Sequence, residues 1–334
     1  MQAIKRKIGV LTCIKNLHKD LKQRLPHYEI EEIPLPKNWK ENGFGECLER
    51  INSNEILLTE PHYLSRFVYD VKNVKWVQLI WAGVDNVTTA LVPGEAHPSF
   101  VLTRFGGQFG QHISEYVVSN IINMERKAFK YYENQKISKW EKLHVGENPY
   151  RLLSTLSVCV LGIGDLGAAV AKQCKSFGMT VYGMSTKVPD VRKVFFDEYF
   201  TLKDLPLYLS RSDYVCNTLP KTPATDNLLS NNILKQCMEK QSVFVNVGRG
   251  NVIPESEIVE ALERKWISGA ILDVFNEEPL SGQSKLWSMP NVILTPHVSG
   301  MSLTQEVVDF FVENVKLYEN GQPLNHVFSW SKGY

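Results

Sequence analysis

Three side chains that follow apolar segments could together perform acid–base chemistry on a carbonyl group: His297, Glu278 and Arg249. His297 comes directly after a short apolar run and Pro296, which holds its backbone in place. A carboxylate bonded to one ring nitrogen of such a histidine would fix its tautomer and raise its pKa. The protonated ring can then donate to a carbonyl oxygen. Glu278 is the candidate for that carboxylate.

Arg249 has the surroundings of a residue that holds a carboxylate. It stands between Gly248 and Gly250, immediately after an apolar run, so its side chain can be presented close to a ligand. The planar guanidinium matches a carboxylate and an adjacent carbonyl oxygen through two parallel hydrogen bonds. Each of the three residues alone has an ordinary alternative: an arginine in a surface turn, a solvated glutamate, or a structural histidine. Found together downstream of a dinucleotide-binding motif, they indicate one catalytic set.

The dinucleotide-binding motif is a glycine-rich turn between a predicted strand and a predicted helix. The strand covers residues 158–161, the helix runs to about Phe177, and Gly178 is placed to end it. The first glycine permits the tight turn, the second lets the backbone approach a pyrophosphate, and the third lets helix and strand pack closely. The motif consists of Gly162, Ile163, Gly164, Asp165, Leu166 and Gly167.

The residues after the next predicted strand bear on which nucleotide binds. An NAD site usually has an Asp or Glu there, about 20 residues after the glycine-rich turn, to bond the ribose 2′-hydroxyl. This chain instead has Ser185, Thr186 and Lys187. Two hydroxyls and a cation suit a 2′-phosphate, so we favour NADPH as the cofactor. The alternative is that Lys187 is solvated and Asp190 bonds the ribose, in which case NADH is used.

The elements that must position these residues form two series of strands separated by helical stretches. Continuous apolar strands are expected when helices cover both faces of a parallel sheet, so the pattern predicts a doubly wound α/β architecture. The first series comprises residues 8–12, 55–59, 77–80 and 100–103, and the second comprises 157–161, 180–184, 214–217, 242–246, 269–273 and 292–295. A long helix is predicted at 113–126. Ser302 and Gln305 predict a capping box at the start of a last helix.

Length and composition limit the possible functions. A chain of 334 residues is expected to form two domains. Its net charge of +1 predicts no affinity for nucleic acid, and no apolar run approaches the roughly 20 residues needed to span a membrane. Six scattered cysteines without a C-x-x-C pair predict free thiols and a cytoplasmic location. No cysteine and histidine cluster has ligand spacing, so no metal is expected.

Several motifs give the chain a resemblance to the D-isomer-specific 2-hydroxyacid dehydrogenase family, closest to its glyoxylate/hydroxypyruvate reductase members. The resemblance extends over essentially the whole chain. Its motifs are Trp81-Ala82-Gly83-Val84-Asp85, Glu115-Tyr116-Val117, residues 162–167, Leu219-Pro220 with Thr222 and Thr225, Gly248-Arg249-Gly250, residues 272–280, Thr295-Pro296-His297 and the final Lys332-Gly333-Tyr334.

The resemblance implies a role for each matching residue. Arg249 would hold the carboxylate and keto oxygen of the substrate, His297 would protonate that oxygen, and Glu278 would orient and charge His297. The backbone of Trp81, Ala82 and Gly83 would contact the substrate carboxylate. The implied cofactor contacts, besides those already named, are Leu219, Pro220, Thr225, Val247, Gly248 and Asp273.

The resemblance also implies the architecture and the reaction. Residues 1–104 and 298–334 would form a discontinuous, flavodoxin-like substrate domain, and residues 105–297 a Rossmann-type cofactor domain. The chain would form a homodimer, with the stretch from Tyr131 to Trp140 as a contact. It would reduce a small 2-keto acid to the 2-hydroxy acid. Two alternatives stay open: a reductase for bulkier 2-keto acids, and a non-catalytic dinucleotide-sensing scaffold on the same fold.

Overall fold

The structure, a computed structural model, describes residues 6–142, 150–191 and 193–330. Residues 332–334, quoted above among the motifs, lie outside the described residues. The chain divides into two compact units. Unit 1 comprises Met1–Gln108 with Ser302–Tyr334, and unit 2 comprises Phe109–Met301. The functional roles assigned above to the two segments, with boundaries at 104/105 and 297/298, stay predictions.

The strands and helices of the described residues alternate along the chain. The strands are β1 (Lys7–Leu11), β2 (Glu29–Glu32), β3 (Ile56–Thr59), β4 (Trp76–Leu79), β5 (Val101–Thr103), β6 (Ser157–Leu161), β7 (Thr180–Met184), β8 (Glu198–Phe200), β9 (Tyr214–Asn217), β10 (Val243–Asn246), β11 (Gly269–Leu272) and β12 (Val292–Leu294). The α-helices are α1 (Leu17–Arg24), α2 (Trp39–Asn42), α3 (Leu48–Asn52), α4 (Pro61–Leu64), α5 (Asp85–Thr89), α6 (Gly110–Glu125), α7 (Ala128–Lys136), α8 (Asp165–Ser176), α9 (Leu205–Arg211), α10 (Glu255–Glu263) and α11 (Thr304–Glu319). Short 3₁₀ helices cover Gly45–Cys47, Leu153–Thr155, Leu202–Asp204, Ile233–Cys237, Gly250–Val252 and Lys285–Ser288.

Unit 1 is built on a parallel five-stranded sheet in the order β2-β1-β3-β4-β5. Every position of β3 and β4 is buried, as expected for strands covered on both faces. The helix α11 returns to this unit, where Phe311 lies 5.4 Å from Trp76 between ring centroids. Asn314 Nδ2 donates to Gln78 Oε1 at 3.0 Å in the same buried layer. The carboxyl-terminal helix is therefore part of the core of unit 1.

Unit 2 is built on a parallel seven-stranded sheet in the order β12-β11-β10-β9-β6-β7-β8. The four central strands, β6, β9, β10 and β11, are buried at every position. The strand order reverses between β6 and β9. In open parallel sheets, ligands bind beyond the carboxyl ends of the strands at such a reversal. This topology places the glycine-rich turn, which follows β6, at the expected binding point.

The predicted fold class, α/β with two doubly wound parallel sheets, is confirmed. Two strands at sheet edges were not predicted, because β2 reads Glu-Ile-Glu-Glu and β8 is only three residues long. The predicted capping box was wrong. Leu303 is the N-cap of α11 and has no capping side chain, while the hydroxyl of Ser302 donates to the carbonyl of Ile80 at 2.6 Å. No helix of the described residues is long and apolar enough to cross a membrane.

Candidate active site

The side chains of His297 and Glu278 form a hydrogen-bonded pair in unit 2. His297 Nδ1 lies 2.8 Å from Glu278 Oε2, and Glu278 Oε1 accepts the main-chain N–H of Phe275 at 2.9 Å. The carboxylate is thus held from both oxygens. Because Glu278 engages Nδ1, the other ring nitrogen, Nε2, is the one that can reach a substrate. The imidazole is half exposed, which leaves it accessible.

The pair favours an imidazolium beside a carboxylate. The hydrogen bond to Glu278 raises the pKa of His297 above its ordinary value, although burial and the charge of Arg249 act to lower it. Burial acts to raise the pKa of Glu278, but hydrogen bonds from His297 and from the Phe275 N–H bring it below its ordinary value. Both shifts stabilise the charged forms. The raised pKa of His297 favours the protonated ring, which is the form that can donate a proton.

The backbone at His297 adopts a left-handed conformation, with φ of 56°. A residue other than glycine keeps such a conformation only where its surroundings enforce it. The support comes from Asp273, which is fully buried after β11 and whose main-chain oxygen accepts the His297 N–H at 2.9 Å. Its carboxylate accepts the N–H groups of Val298 at 2.9 Å and Ser299 at 3.0 Å. Asp273 thereby holds the segment that carries His297.

Arg249 lies in the turn after β10, close enough to His297 and Glu278 for its charge to affect both side chains. Its Nη1 donates to the carbonyl of Gly248 at 2.8 Å, and its charge lowers the pKa of both His297 and Glu278. The next residue, Gly250, approaches the backbone of the neighbouring segment so closely that a Cβ would lie 1.8 Å from the carbonyl carbon of Phe275. Only glycine fits there, and this close approach sets the Arg249 turn against the segment leading to Glu278.

The glycine-rich turn after β6 has different physical requirements at each glycine. Gly162 has φ of +98°, a conformation that favours glycine. A Cβ on Gly167 would lie 1.9 Å from the carbonyl oxygen of Gly162, so close packing requires a glycine. A Cβ on Gly164, in contrast, would meet no heavy atom within 4 Å. Gly164 is exposed at the start of α8, beside the exposed Asp165 and the half-buried Leu166.

The loops after β9 and β10 meet the glycine-rich turn. Thr218 Oγ1 donates to the carbonyl of Gly162 at 3.1 Å, which ties the loop carrying Leu219 and Pro220 to that turn. A Cβ on Gly248 would lie 2.7 Å from the carbonyl oxygen of Leu219. Thr225 Oγ1 donates to the carbonyl of Pro220 at 2.7 Å and so closes the loop that follows. Val247, just before Gly248, is buried.

The turn after β7 presents an exposed cation. The hydroxyl of Ser185 bonds to the main-chain oxygen of Lys187, and Thr186 and Lys187 are exposed. Within the part of the chain that the structure describes, no carboxylate pairs with the Lys187 ammonium. Asp190 is exposed farther along the same loop.

The predicted substrate loop of Trp81, Ala82 and Gly83 lies in unit 1, beyond the carboxyl end of β4. The indole of Trp81 stacks on the ring of His62, with centroids 4.9 Å apart and planes inclined by 29°. His62 follows β3 and lies in none of the motifs quoted above. Its contact with Trp81 arises from the pairing of β3 with β4, which local sequence does not reveal.

The residues of unit 2 fit a bound dinucleotide. The open space at Gly164 faces the N-terminus of the 12-residue helix α8, whose N–H groups and dipole suit a pyrophosphate.

Across residues 6–142, 150–191 and 193–330, no group of three His, Cys, Asp or Glu side chains is arranged to hold a metal ion.

The chain matches one protein-family model and is similar to known proteins. The model of the D-isomer specific 2-hydroxyacid dehydrogenase NAD-binding domain matches residues 118–299, more than half of the chain. The glyoxylate/hydroxypyruvate reductase A of Escherichia fergusonii is 29% identical over 79% of this chain and 83% of its own length.

Two solved structures are similar over nearly the whole chain. A D-isomer specific 2-hydroxyacid dehydrogenase family protein from Aeromonas salmonicida is 29% identical, with a TM-score of 0.83, and the match covers 97% of this chain and 99% of that one. The NADPH-dependent glyoxylate/hydroxypyruvate reductase of Sinorhizobium meliloti, in complex with NADP and sulfate, is 27% identical, with a TM-score of 0.80. That match covers 99% and 100% of the two chains.

Proposed function

The chain belongs to the D-isomer-specific 2-hydroxyacid dehydrogenase family, and from this premise we propose that it reduces a small 2-keto acid to the 2-hydroxy acid, with hydride from NADPH. It is accordingly an NAD(P)-dependent oxidoreductase. The observation that carries the proposal is the hydrogen bond of 2.8 Å between His297 Nδ1 and Glu278 Oε2. The charge of Arg249 reaches this pair and acts to lower the pKa of His297. The substrate class we favour is glyoxylate or hydroxypyruvate, because the similar proteins of E. fergusonii and S. meliloti carry those names.

The chain's own residues supply the proton chemistry. Arg249 binds the substrate carboxylate and keto oxygen through its planar fork. His297, protonated and oriented through Nδ1 by Glu278, donates its Nε2 proton to the keto oxygen as the carbonyl carbon is reduced. A positioned general acid of this kind contributes about 10²- to 10⁴-fold to the rate. His297 then takes up a proton from solvent, and the negatively charged Glu278 stabilises the resulting imidazolium.

We propose that the cofactor binds at the carboxyl edge of the unit 2 sheet. The bound nucleotide supplies the hydride. Gly162, Gly164, Asp165, Leu166 and Gly167 would hold the pyrophosphate at α8. Leu219, Pro220, Thr225, Val247 and Gly248 would line the adjoining loops, with Asp273 fixing the segment near the nicotinamide. These assignments follow the motifs of the family, and the hydrogen bond from Thr218 to Gly162 and the close approach of Gly248 to Leu219 support them.

The choice of NADPH over NADH rests on the turn after β7. Ser185, Thr186 and Lys187 stand where a ribose-binding carboxylate would repel a 2′-phosphate, and the Lys187 ammonium is exposed. The S. meliloti protein, which was solved with NADP, supports this choice. For the substrate, we propose that the backbone of Trp81, Ala82 and Gly83 in unit 1 contacts the carboxylate. Unit 1 would then be the substrate domain and unit 2 the cofactor domain.

The surface of unit 2 supports a homodimer. Several large apolar side chains around α7 are exposed, with Trp140 exposed to 93% and Ile137 to 71%. Large apolar side chains exposed this close together in the sequence favour a protein interface in this region. Sedimentation equilibrium would distinguish a dimer from a monomer.

We also propose a cytoplasmic location, because all six cysteines are free thiols and five of them are buried.

The proposal is tested by initial rates of NADPH oxidation and, separately, NADH oxidation with glyoxylate, hydroxypyruvate and bulkier 2-keto acids. Turnover of the two small acids with NADPH is the expected result. Preference for bulkier acids would change the substrate class but leave the enzyme class. Tight NADPH binding without turnover of any 2-keto acid would overturn the proposal in favour of a dinucleotide-sensing scaffold.

A further inference from the structure

A chain of hydrogen bonds connects α6 to the segment that carries His297. Tyr116 Oη, from α6, lies 2.7 Å from Thr295 Oγ1, and Thr295 Oγ1 donates to Asp273 Oδ1 at 2.5 Å. Thr295 has one hydroxyl hydrogen, and a carboxylate only accepts, so the Thr295 hydrogen is committed to Asp273. Tyr116 must therefore be the donor to Thr295. The chain runs in one direction, from the phenol to the carboxylate.

The end of this chain is the residue that enforces the backbone conformation at His297. Asp273 is fully buried, and its carboxylate accepts hydrogen bonds from both sides of Pro296: from the side chain of Thr295 before it, and from the main-chain N–H groups of Val298 and Ser299 after it. These bonds hold the segment in which His297 has its left-handed φ of 56°. The Tyr116 hydroxyl fixes the rotamer of the Thr295 hydroxyl and so completes the set.

We propose that Tyr116 and Thr295 are positioning residues, which act through Asp273 to keep the ring of His297 bonded to Glu278 with Nε2 directed to the substrate. The inference rests on the proposed reductase function. Hydrogen bonds in series polarise one another, so each hydroxyl strengthens the next bond in the chain. Burial raises the pKa of Tyr116 to about 12, so its hydroxyl stays protonated throughout the range in which the enzyme is assayed.

The charges that face His297 allow positioning to be distinguished from a direct electrostatic effect. They come from Glu278, Arg249 and Asp273, and the hydrogen bond to Glu278 affects the pKa most while the charge of Asp273 affects it least. If the chain positions the ring, breaking it weakens the bond to Glu278 and lowers the pKa of His297. If the chain only neutralises Asp273, breaking it exposes that negative charge and raises the pKa.

The experiment compares Thr295→Val, which removes the hydroxyl, with Thr295→Ser, which keeps it, and adds Tyr116→Phe. We expect Thr295→Val and Tyr116→Phe to lower kcat about 10-fold, as for loss of one hydrogen bond to a charged group, with KM for the 2-keto acid changed by less than about 2-fold. Thr295→Ser should restore most of kcat. The double variant should be no slower than Thr295→Val, because both changes break one chain.

The matched control is Tyr214→Phe, at the amino end of β9, whose hydroxyl donates to Glu125 Oε1 at 2.7 Å. It removes a second hydrogen-bonded tyrosine hydroxyl from the same unit, and kcat should not change. In parallel, NMR titration of the imidazole in the full chain reports the pKa of His297 without turnover. A lower pKa in Tyr116→Phe and Thr295→Val, but not in the control, is expected.

Two results would overturn the inference. One is an unchanged kcat and His297 pKa in Thr295→Val, and the other is a raised pKa. If the wild-type protein reduced no 2-keto acid, the proposed function would fail, but the NMR titration would still decide whether Tyr116 and Thr295 position His297.

Discussion

Replacing Gly164 by alanine should weaken cofactor binding without lowering the stability of the apoprotein. The residue is exposed at the start of α8, a Cβ there has no heavy atom within 4 Å, and its φ of −65° is open to alanine. Nothing in its surroundings within the described residues requires a glycine. We therefore expect Gly164→Ala without cofactor to unfold at the wild-type temperature.

The substitution should make the free energy of NADPH binding less favourable. The added methyl group would occupy the space through which a pyrophosphate approaches the N–H groups of α8. Loss of one hydrogen bond to a charged group costs about 1.5–3 kcal/mol. That corresponds to a Kd roughly 10- to 150-fold weaker. Tryptophan fluorescence during NADPH titration measures Kd, and scanning calorimetry of the apoprotein measures Tm.

Gly167→Ala is the contrasting variant from the same turn. Its Cβ would lie 1.9 Å from the Gly162 carbonyl oxygen and 2.8 Å from Thr218 Oγ1, so the backbone must shift. Overpacking of this kind costs about 1–3 kcal/mol, and Tm should fall. Wild-type affinity for NADPH in Gly164→Ala would refute the assignment of this turn to the pyrophosphate. A lowered Tm in Gly164→Ala would show that the folded protein does not accommodate a methyl group at this position.

Four further substitutions test other parts of the account. Lys187→Asp should shift the ratio of kcat/KM for NADPH over NADH toward NADH, because a carboxylate repels a 2′-phosphate; an unchanged ratio would contradict the assignment. Arg249→Ala should lower kcat/KM for the 2-keto acid about 100-fold with little change in the Kd of NADPH, whereas loss of NADPH affinity would show that Arg249 serves the cofactor. Reduction requires protonated His297, so activity is present at low pH and lost as pH rises through its pKa. Glu278→Gln removes the main cause that raises this pKa, so the pH–rate profile should lose activity at lower pH than wild type. Glu125 is buried and accepts from Arg151 and Tyr214, which outweigh burial and lower its pKa. Its stabilisation is thus present above its unfolded-state pKa and lost on acidification, and Glu125→Gln should cost about 1–3 kcal/mol in urea unfolding at pH 7 and less at acid pH.

Local sequence was sufficient for the central strands and for the glycine-rich turn. The buried strands β6, β9, β10 and β11 are continuous apolar runs, which a parallel sheet covered on both faces requires. The different requirements at Gly162 and Gly167 follow from a strand–turn–helix geometry that the spacing already indicates. The edge strand β2 was missed because three of its four residues are glutamates, and solvent accepts charge at a sheet edge.

Contacts between distant segments account for what the sequence did not predict. Ser302 was predicted to cap α11, but its hydroxyl bonds to Ile80, which lies 222 residues earlier in the chain. Tyr116 and Thr295 belong to quoted motifs, yet no role was assigned to either, since their hydrogen bond joins residues 179 apart. The family resemblance implied that Glu278 orients His297, and the two side chains are hydrogen-bonded. The left-handed backbone that accompanies this contact could not be inferred from the residue types.

The most direct test of the central claim follows the hydride itself. The wild-type protein would be incubated with hydroxypyruvate and NADPH deuterated at C4 of the nicotinamide, on each face in turn, and the product analysed by mass spectrometry and chiral chromatography. We expect D-glycerate that carries deuterium at C2 from one of the two labelled nucleotides. Glycerate without deuterium from either nucleotide, or no glycerate despite NADPH binding, would contradict it.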